Sequence, residues 1–341
     1  MGSVKDLEVC RFPAVEASGV GRFSFSDRYS VFDWGEMPDH IQNKGASLCL
    51  VSAYFFERLE EKGIKTHYRG VVEHGEVKKL AELTEPATSM EVSLLRVIKP
   101  PVKGNDYDYS AYQKEKANFL IPLEIIYRRS LPAGSSVFKR LREGSLKLED
   151  LGLKESPSPG QVLEKPLLDV STKLEASDRY ISWQEAKKIA GLNGDEPEEI
   201  KRTVLLISEL ITQEAGKAGL INEDGKVELG FDENRQLMVV DVLGTLDECR
   251  FTFDGMPVSK EIARIFYQGT DWYREVENAK KKDQVNWRKV VKSSPPPLPQ
   301  HLKNMIAMLY CAGANEVTGR VWFKNLPLLP EIVQEIRQVL G

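Results

Sequence analysis

At 341 residues, with 41% hydrophobic and 29% charged residues, the chain has the make-up of a globular protein with apolar surface enough for two or three structural units. A net charge of −4 excludes nucleic-acid binding through bulk charge, so an anionic ligand has to be met by a local basic pocket. No apolar run reaches membrane-spanning length, and four scattered cysteines without a CxxC pair point to reduced thiols in the cytoplasm, not to a disulfide frame or a zinc site. Met1-Gly2-Ser3 opens like a myristoylation signal, but Asp6 stands where Ser or Thr is needed.

The first hundred residues read mainly as strands. From Arg22 to Asp33, Phe23, Phe25, Tyr29 and Val31 alternate with polar residues as in a half-buried strand pair. Lys44-Gly45 opens a helix over 46–62 with Leu48, Val51, Phe55 and Leu59 on one face, and Gly63 stops it. A strand over 90–98 ends at Pro100-Pro101, where a polar, Tyr-rich insertion begins. A second unit starts at the apolar strand Ile121–Tyr127, which runs into Arg128-Arg129, a short turn and Gly134-Ser135-Ser136 before an amphipathic segment. After an exposed loop at 155–160, Ser182 and Glu185 form a capping box ahead of a helix, and a long amphipathic helix covers 198–218. Strands over 226–231 and 236–242 flank the turn Asp232-Glu233-Asn234, and the tail is helical, interrupted by Pro295-Pro296-Pro297.

Five patterns can carry chemistry. Arginines at a strand end facing small hydroxyl residues and free N–H groups make a cradle for phosphate or carboxylate. Asp224, Lys226 and Glu228 share one strand face, because side chains alternate with period two. A lysine between carboxylates can hold a nucleotide phosphate while the carboxylates, with Asp241 from the facing strand, hold Mg²⁺. The loops 172–178 and 244–250 are rich in polar and charged residues, and Ser30 and Asp33 precede the helix start at Lys44-Gly45. Each pattern alone also fits a plainer reading: a surface arginine pair, a solvated hairpin face, an ordinary turn. No P-loop, GxGxxG run or GxSxG elbow is present, and the basic run 280–282 is interleaved with acids as on a solvated helix.

Taken in order, these motifs resemble SAICAR synthetase of purine biosynthesis, especially its archaeal-type branch. Residues 2–7 resemble the family's opening Gly-Lys-Val-Arg-Asp loop, Asp27-Arg28-Tyr29-Ser30-Val31-Phe32-Asp33 its TDRxSAFD segment, and 122–135 its IPxExxxR…GS stretch. Lys226-Val227-Glu228-Leu229-Gly230 resembles KxEFG, and Asp247–Arg250 the PDSSR loop. The resemblance implies an α+β fold in which a small β-rich N-terminal lobe (1–120) covers a larger α+β lobe (121–341) with the ATP cleft between them. It implies a cytoplasmic ligase, by default a homo-oligomer, that joins L-aspartate to the carboxylate of carboxyaminoimidazole ribonucleotide using ATP and Mg²⁺. Arg128, Ser135, Arg250 and Asp247 are then expected to hold the ribonucleotide, Ser30 and Asp33 to line its imidazole-carboxylate end, and Lys173 and Asp178 to lie near the substrates. Val4, Lys5, Lys226 and Glu228 are expected at ATP, and Glu228 and Asp241 at Mg²⁺. A non-catalytic nucleotide or phosphosugar binder and a small-molecule kinase are the alternatives. Ser3 replaces a lysine of the family pattern, Val242 an acid and Leu229 an aromatic; the insertion 101–118 and the last twenty or so residues fall outside it.

Overall fold

The computed structural model describes residues 4–103, 106–283 and 286–340; Ser3, the departure in the opening loop, lies outside them. The N-terminal part contains β1 (Lys5–Arg11), β2 (Gly19–Phe25), α1 (Lys44–Glu61), β3 (Tyr68–Glu73), β4 (Glu76–Lys78) and β5 (Ser89–Leu94). Its strands form one antiparallel sheet in the order β1-β2-β5-β3-β4. The helix α1 lies on this sheet through buried Leu48, Val51, Phe55 and Leu59, the stripe its 3.6-residue periodicity lays down. The insertion holds the short hairpin β6 (Val102–Lys103) and β7 (Asp106–Tyr107) and a single 3₁₀ turn at Ser110–Gln113.

Next come β8 (Phe119–Leu131), α2 (Ser136–Arg142), β9 (Gln161–Thr172), α3 (Trp183–Ile189) and α4 (Glu196–Lys217). They are followed by β10 (Ile221–Phe231), β11 (Leu237–Val240), β12 (Cys249–Phe253), β13 (Met256–Pro257), α5 (Glu261–Gln268), α6 (Asp271–Lys282), α7 (Trp287–Val290), α8 (Gln300–Thr318) and α9 (Leu329–Leu340). The second sheet runs β13-β12-β10-β8-β9, with β11 on the far half of β10. All its pairs are antiparallel, so the mixed helices and antiparallel sheets make an α+β fold. Segment 65–67 stitches the two sheets: His67 N donates to Val239 O (2.9 Å) and Val239 N to Lys65 O (2.9 Å). None of the described helices is long and apolar enough to cross a membrane.

Three local expectations need correction. The strand expected over 22–33 ends at Phe25; Tyr29 and Val31 are buried, but from an irregular loop turned back on itself by Met37 N to Tyr29 O and Ile41 N to Asp27 O. Apolar alternation is common to a strand and to a tightly folded loop. The strand expected to stop at Tyr127 continues through both arginines to Leu131, because β9 pairs with it there. Ser182 does cap α3, accepting from Glu185 N (3.1 Å), but the Glu185 carboxylate turns away to Arg179 (2.7 Å), where a full charge binds it in place of a backbone N–H.

The opposite faces of the second sheet differ. Beneath it, Ile125, Tyr127 and Val227 pack toward Ile200, Val204, Ile207 and Ile211 of α4. Close approach on that face depends on Gly225, where a Cβ would stand 2.4 Å from Tyr127 Oη and 2.8 Å from Cys249 Sγ. Gly225→Ala should therefore destabilise the protein by about 1–3 kcal/mol, the usual cost of overpacking, seen as a lowered melting temperature; an unchanged Tm would show that the two side chains give way freely.

Candidate active site

Residues directly opposite in an antiparallel ladder point to the same face. The register sets Asp224 opposite Arg128 and Arg250, Lys226 opposite Ile126, Glu228 opposite Glu124, and Glu124 opposite Ser171. One face of β8, β9, β10 and β12 is thereby charged, and its side chains fall into two groups four residues, or about 13 Å, apart along the strand.

The first group is built from acids and lysines. Lys226 Nζ lies 3.0 Å from Glu124, 3.3 Å from Glu228 and 3.3 Å from Glu248. Lys173, just past β9, reaches Glu228 at 2.5 Å, and Lys5 from β1 reaches Asp241 at 2.7 Å. Asp241 has a left-handed backbone (φ 68°), and its carbonyl oxygen accepts from His67 Nε2–H (3.1 Å). Burial pushes the His67 ring down to about 4, which leaves it a neutral donor. Burial and then the neighbouring Asp241 charge raise the Glu228 carboxyl, whereas Lys5, Lys173 and Lys226 hold Asp241 below the ordinary range although burial opposes them. Lys226 stays charged against the pull of burial because Glu248, Glu228 and Glu124 surround it.

The second group is built from arginines. Arg128 is 1% exposed and fully engaged: Nε to Asp169 (3.2 Å), NH1 to Asp224 (3.3 Å) and Ser135 (3.5 Å), NH2 to Ser136 (3.1 Å) and Tyr180 (3.2 Å). Arg250 grips Asp224 with two bonds of 2.8 and 2.6 Å, and Arg140 reaches Asp169 at 2.6 Å. Ser135 caps α2, as the Gly-Ser-Ser pattern leads one to expect. A cavity of about 320 Å³ opens beside Gly134, Arg250, Ser259 and Glu261. Arg129 points the other way, to Glu209 (3.1 Å).

Next to the first group, buried Asp247 accepts from Lys44 Nζ (2.6 Å) and Tyr310 Oη (2.6 Å). Lys260, at the start of α5, has its amine pKa lowered by burial despite the nearby Asp247 and Glu248 charges. Its amine makes no hydrogen bond or ion pair among the described residues. Val4 leads into β1 and is pinned by Ser26, whose N and Oγ donate to its carbonyl oxygen (3.0 and 2.9 Å). Ser30 is half-buried in the loop after β2, and Asp33, in the same loop, is exposed. Asp178 is exposed as well; the burial of its surroundings, then the charges of Glu124 and Asp33, raise its carboxyl, so these two loops face one another near the first group.

The structure thus collects Lys5, Lys173, Lys226, Glu228 and Asp241 in one place and Arg128, Ser135 and Arg250 in another, with Asp247 adjoining. Asp224, marked with Lys226 by strand alternation, belongs with them, as do Glu124 and Asp169, which lie four residues before Arg128 and Lys173 on the same strand faces. His67, Lys260 and Tyr310 carry no comparable local signal. Among the described residues no cluster of three or more His, Cys, Asp or Glu could hold a metal ion by itself. Glu228 and Asp241, like charges that lysines offset in part, do suit Mg²⁺, which is commonly bound by one or two carboxylates together with substrate phosphates.

The chain is similar to known proteins of one family. A SAICAR synthetase family model matches residues 14–278. An Archaeoglobus fulgidus protein, provisionally named a phosphoribosylaminoimidazole-succinocarboxamide synthase, is 53% identical over 340 residues spanning all of both chains. The phosphoribosylaminoimidazole-succinocarboxamide synthase of Thermoplasma acidophilum is 33% identical over 88% of this chain and 93% of its own. Two solved structures share the fold: a Saccharomyces cerevisiae SAICAR synthase complexed with SAICAR (TM-score 0.63, 22% identity, 94% of each chain) and a SAICAR synthetase in complex with ADP (TM-score 0.56, 22% identity, 87% of this chain and 99% of its own).

The raised Glu228 carboxyl makes a pH prediction. The folded state keeps that proton where the unfolded chain has lost it, so this contribution to stability is present at acid pH and is lost as pH rises through the raised pKa. Glu228→Gln mimics the protonated form and should melt increasingly above wild type as pH rises from about 4.5 toward neutrality. Parallel melting curves across that range would refute the assignment.

Proposed function

The chain belongs to the SAICAR synthetase family, and from that membership we propose how its residues share the work of the reaction. It is an ATP-dependent ligase of purine biosynthesis, joining L-aspartate to the carboxylate of carboxyaminoimidazole ribonucleotide with release of ADP and phosphate. The observation that carries the residue assignment is the pair of charged groups about 13 Å apart on one sheet face, which offers separate places for two anionic ligands.

The arginine group takes the 5′-phosphate. Arg250 and the turn at Gly134 line the cavity with Ser135 next in the chain, while Arg128, which bonds Ser135, supplies positive charge and holds Asp224 and Asp169 in place. The acid–lysine group takes the triphosphate. Lys5 and Lys226 neutralise phosphate oxygens, Val4 approaches with its backbone, and Lys173 bridges toward the substrate carboxylate near Ser30, Asp33 and Asp178. Glu228 and Asp241 would hold Mg²⁺, whose charge offsets that of the β- and γ-phosphate oxygens.

A carboxylate is a poor electrophile. Its oxygen therefore first attacks the γ-phosphorus, ADP leaves, and the resulting acyl phosphate is attacked by the aspartate amine, which loses a proton as phosphate departs. Nothing here needs a protein nucleophile; positioning and charge compensation suffice. Lys260, whose amine has no hydrogen-bond or ion-pair partner among the described residues, is available to a carboxylate of the amine substrate. The N-terminal sheet, joined to the second sheet through 65–67, forms the smaller lobe over the nucleotide, and four free thiols accord with a cytoplasmic setting.

The test is ADP formation from ATP, Mg²⁺ and the carboxylated ribonucleotide, with and without aspartate. Full turnover only with aspartate supports the ligase; sustained turnover without it identifies a kinase, and none in either case a binder. Within the ligase, Arg250→Met should raise KM for the ribonucleotide about 10- to 100-fold, the loss of one charge-assisted contact, with KM for ATP nearly unchanged.

A further inference from the structure

Phe32 and Asp33 are consecutive non-glycine residues in the left-handed region (φ 55° and 60°). For a bulky side chain such as Phe32 this conformation is an outlier, and it persists only where the surroundings over-determine it. The surroundings come from the C-terminal third. Lys280 Nζ on α6 donates to Phe32 O (2.9 Å) and pairs with Asp33 Oδ2 (3.3 Å), and Arg288 on α7 donates to Asp33 O. Both successive carbonyl oxygens of the turn thus accept charge-assisted bonds. Both cations also lie over the Trp287 ring, at 4.8 and 5.3 Å from its centre, which limits their freedom before they reach the loop. Trp34 packs against the rings of Trp272 (5.3 Å) and Trp287 (6.0 Å), and Phe32 against Tyr273 (4.6 Å).

We propose that Lys280 and Arg288 are positioning residues for the ligation, holding the Phe32-Asp33 turn so that the Asp33 carboxylate stands at the substrate end of the cleft. The inference rests on the reading of Asp33 as a substrate-facing group. The Asp33 side chain is 83% exposed, so its ion pair with Lys280 contributes little stability; the bonds to the two carbonyl groups set its place. Its charge is felt at Asp178 on the opposing loop, as a cleft-facing position requires. Lys280, Trp287 and Arg288 all lie beyond residues 14–278, which the family model matches.

The experiment compares full-length Lys280→Met, Arg288→Met and the double variant with Lys280→Arg and Asp33→Ala, measuring kcat, KM for each substrate, ADP affinity and Tm. The double variant should lose about tenfold or more in kcat/KM for the ribonucleotide, as misplacement of a reacting group does, with ADP affinity unchanged. Lys280→Arg, which keeps a donor at the carbonyl, should recover most of the loss seen in Lys280→Met. A lowered Tm with wild-type kinetics would make the clamp a structural brace and overturn the proposal. If Asp33→Ala is impaired while the clamp variants are not, the positioning idea alone fails; if Asp33→Ala has wild-type kinetics, the reading of Asp33 fails and takes the clamp with it. Should the double variant not fold, the single variants decide by the same criteria.

Discussion

The site depends on the register of β10 between β8 and β12. Asp224, Lys226 and Glu228 project to one face only because the strand is paired along most of its length, and Gly225 and Val227 project to the other. A slip of one residue would drive three charges into the α4 interface and bring apolar side chains to the substrate face. That register is enforced from below: Tyr127 and Cys249 close over Gly225 too tightly to admit another side chain. The apolar packing beneath the sheet therefore decides which charges meet above it.

Charge balance distinguishes the two groups so placed. Three guanidinium groups (Arg128, Arg140, Arg250) are interleaved with the carboxylates of Asp169 and Asp224, while Glu223 and Glu261 line the cavity beside Arg250. In the other group three lysines face four carboxylates, and the conflict between Glu228 and Asp241 is left for a cation to resolve. Buried ion pairs of this kind are poor sources of stability, since desolvation offsets much of their attraction. Their value lies in holding donors and acceptors where a substrate needs them before it arrives.

The insertion and the C-terminal helices are tied to the rest of the molecule. In the insertion, Tyr109 and Tyr112 are buried; Tyr112 donates to Ile98 O (2.7 Å), and Tyr109 to Glu175 (3.0 Å) in the loop that carries Lys173 and Asp178. In the tail, α8 packs on α1 and brings Tyr310 to Asp247. Arg320 donates to the carbonyl oxygens of Leu80 and Leu83 (2.7 and 2.6 Å), and Arg337 on α9 to Asp254 O (2.7 Å). The tail thereby contacts the β4–β5 and β12–β13 connections.

By itself the sequence determined what depends on short-range periodicity. The helical stripes of α1 and α4, the charged face of β10, the cap at Ser135 and the ordered motifs of the family are all set by residues close in the chain, where backbone geometry alone relates one side chain to the next. Even the failure over 26–33 was local, since alternating apolar residues suit a buried loop as well as a strand. Tertiary structure alone decided which distant groups share a charge: that Arg128 is committed to Asp169 and Asp224 beneath Arg250, that His67 and Lys5 converge on Asp241, and that Lys280 and Arg288 reach back to a turn some 250 residues earlier. Such pairings follow from which elements pack together. Coulomb forces between buried groups act over a few ångströms whatever their separation in sequence.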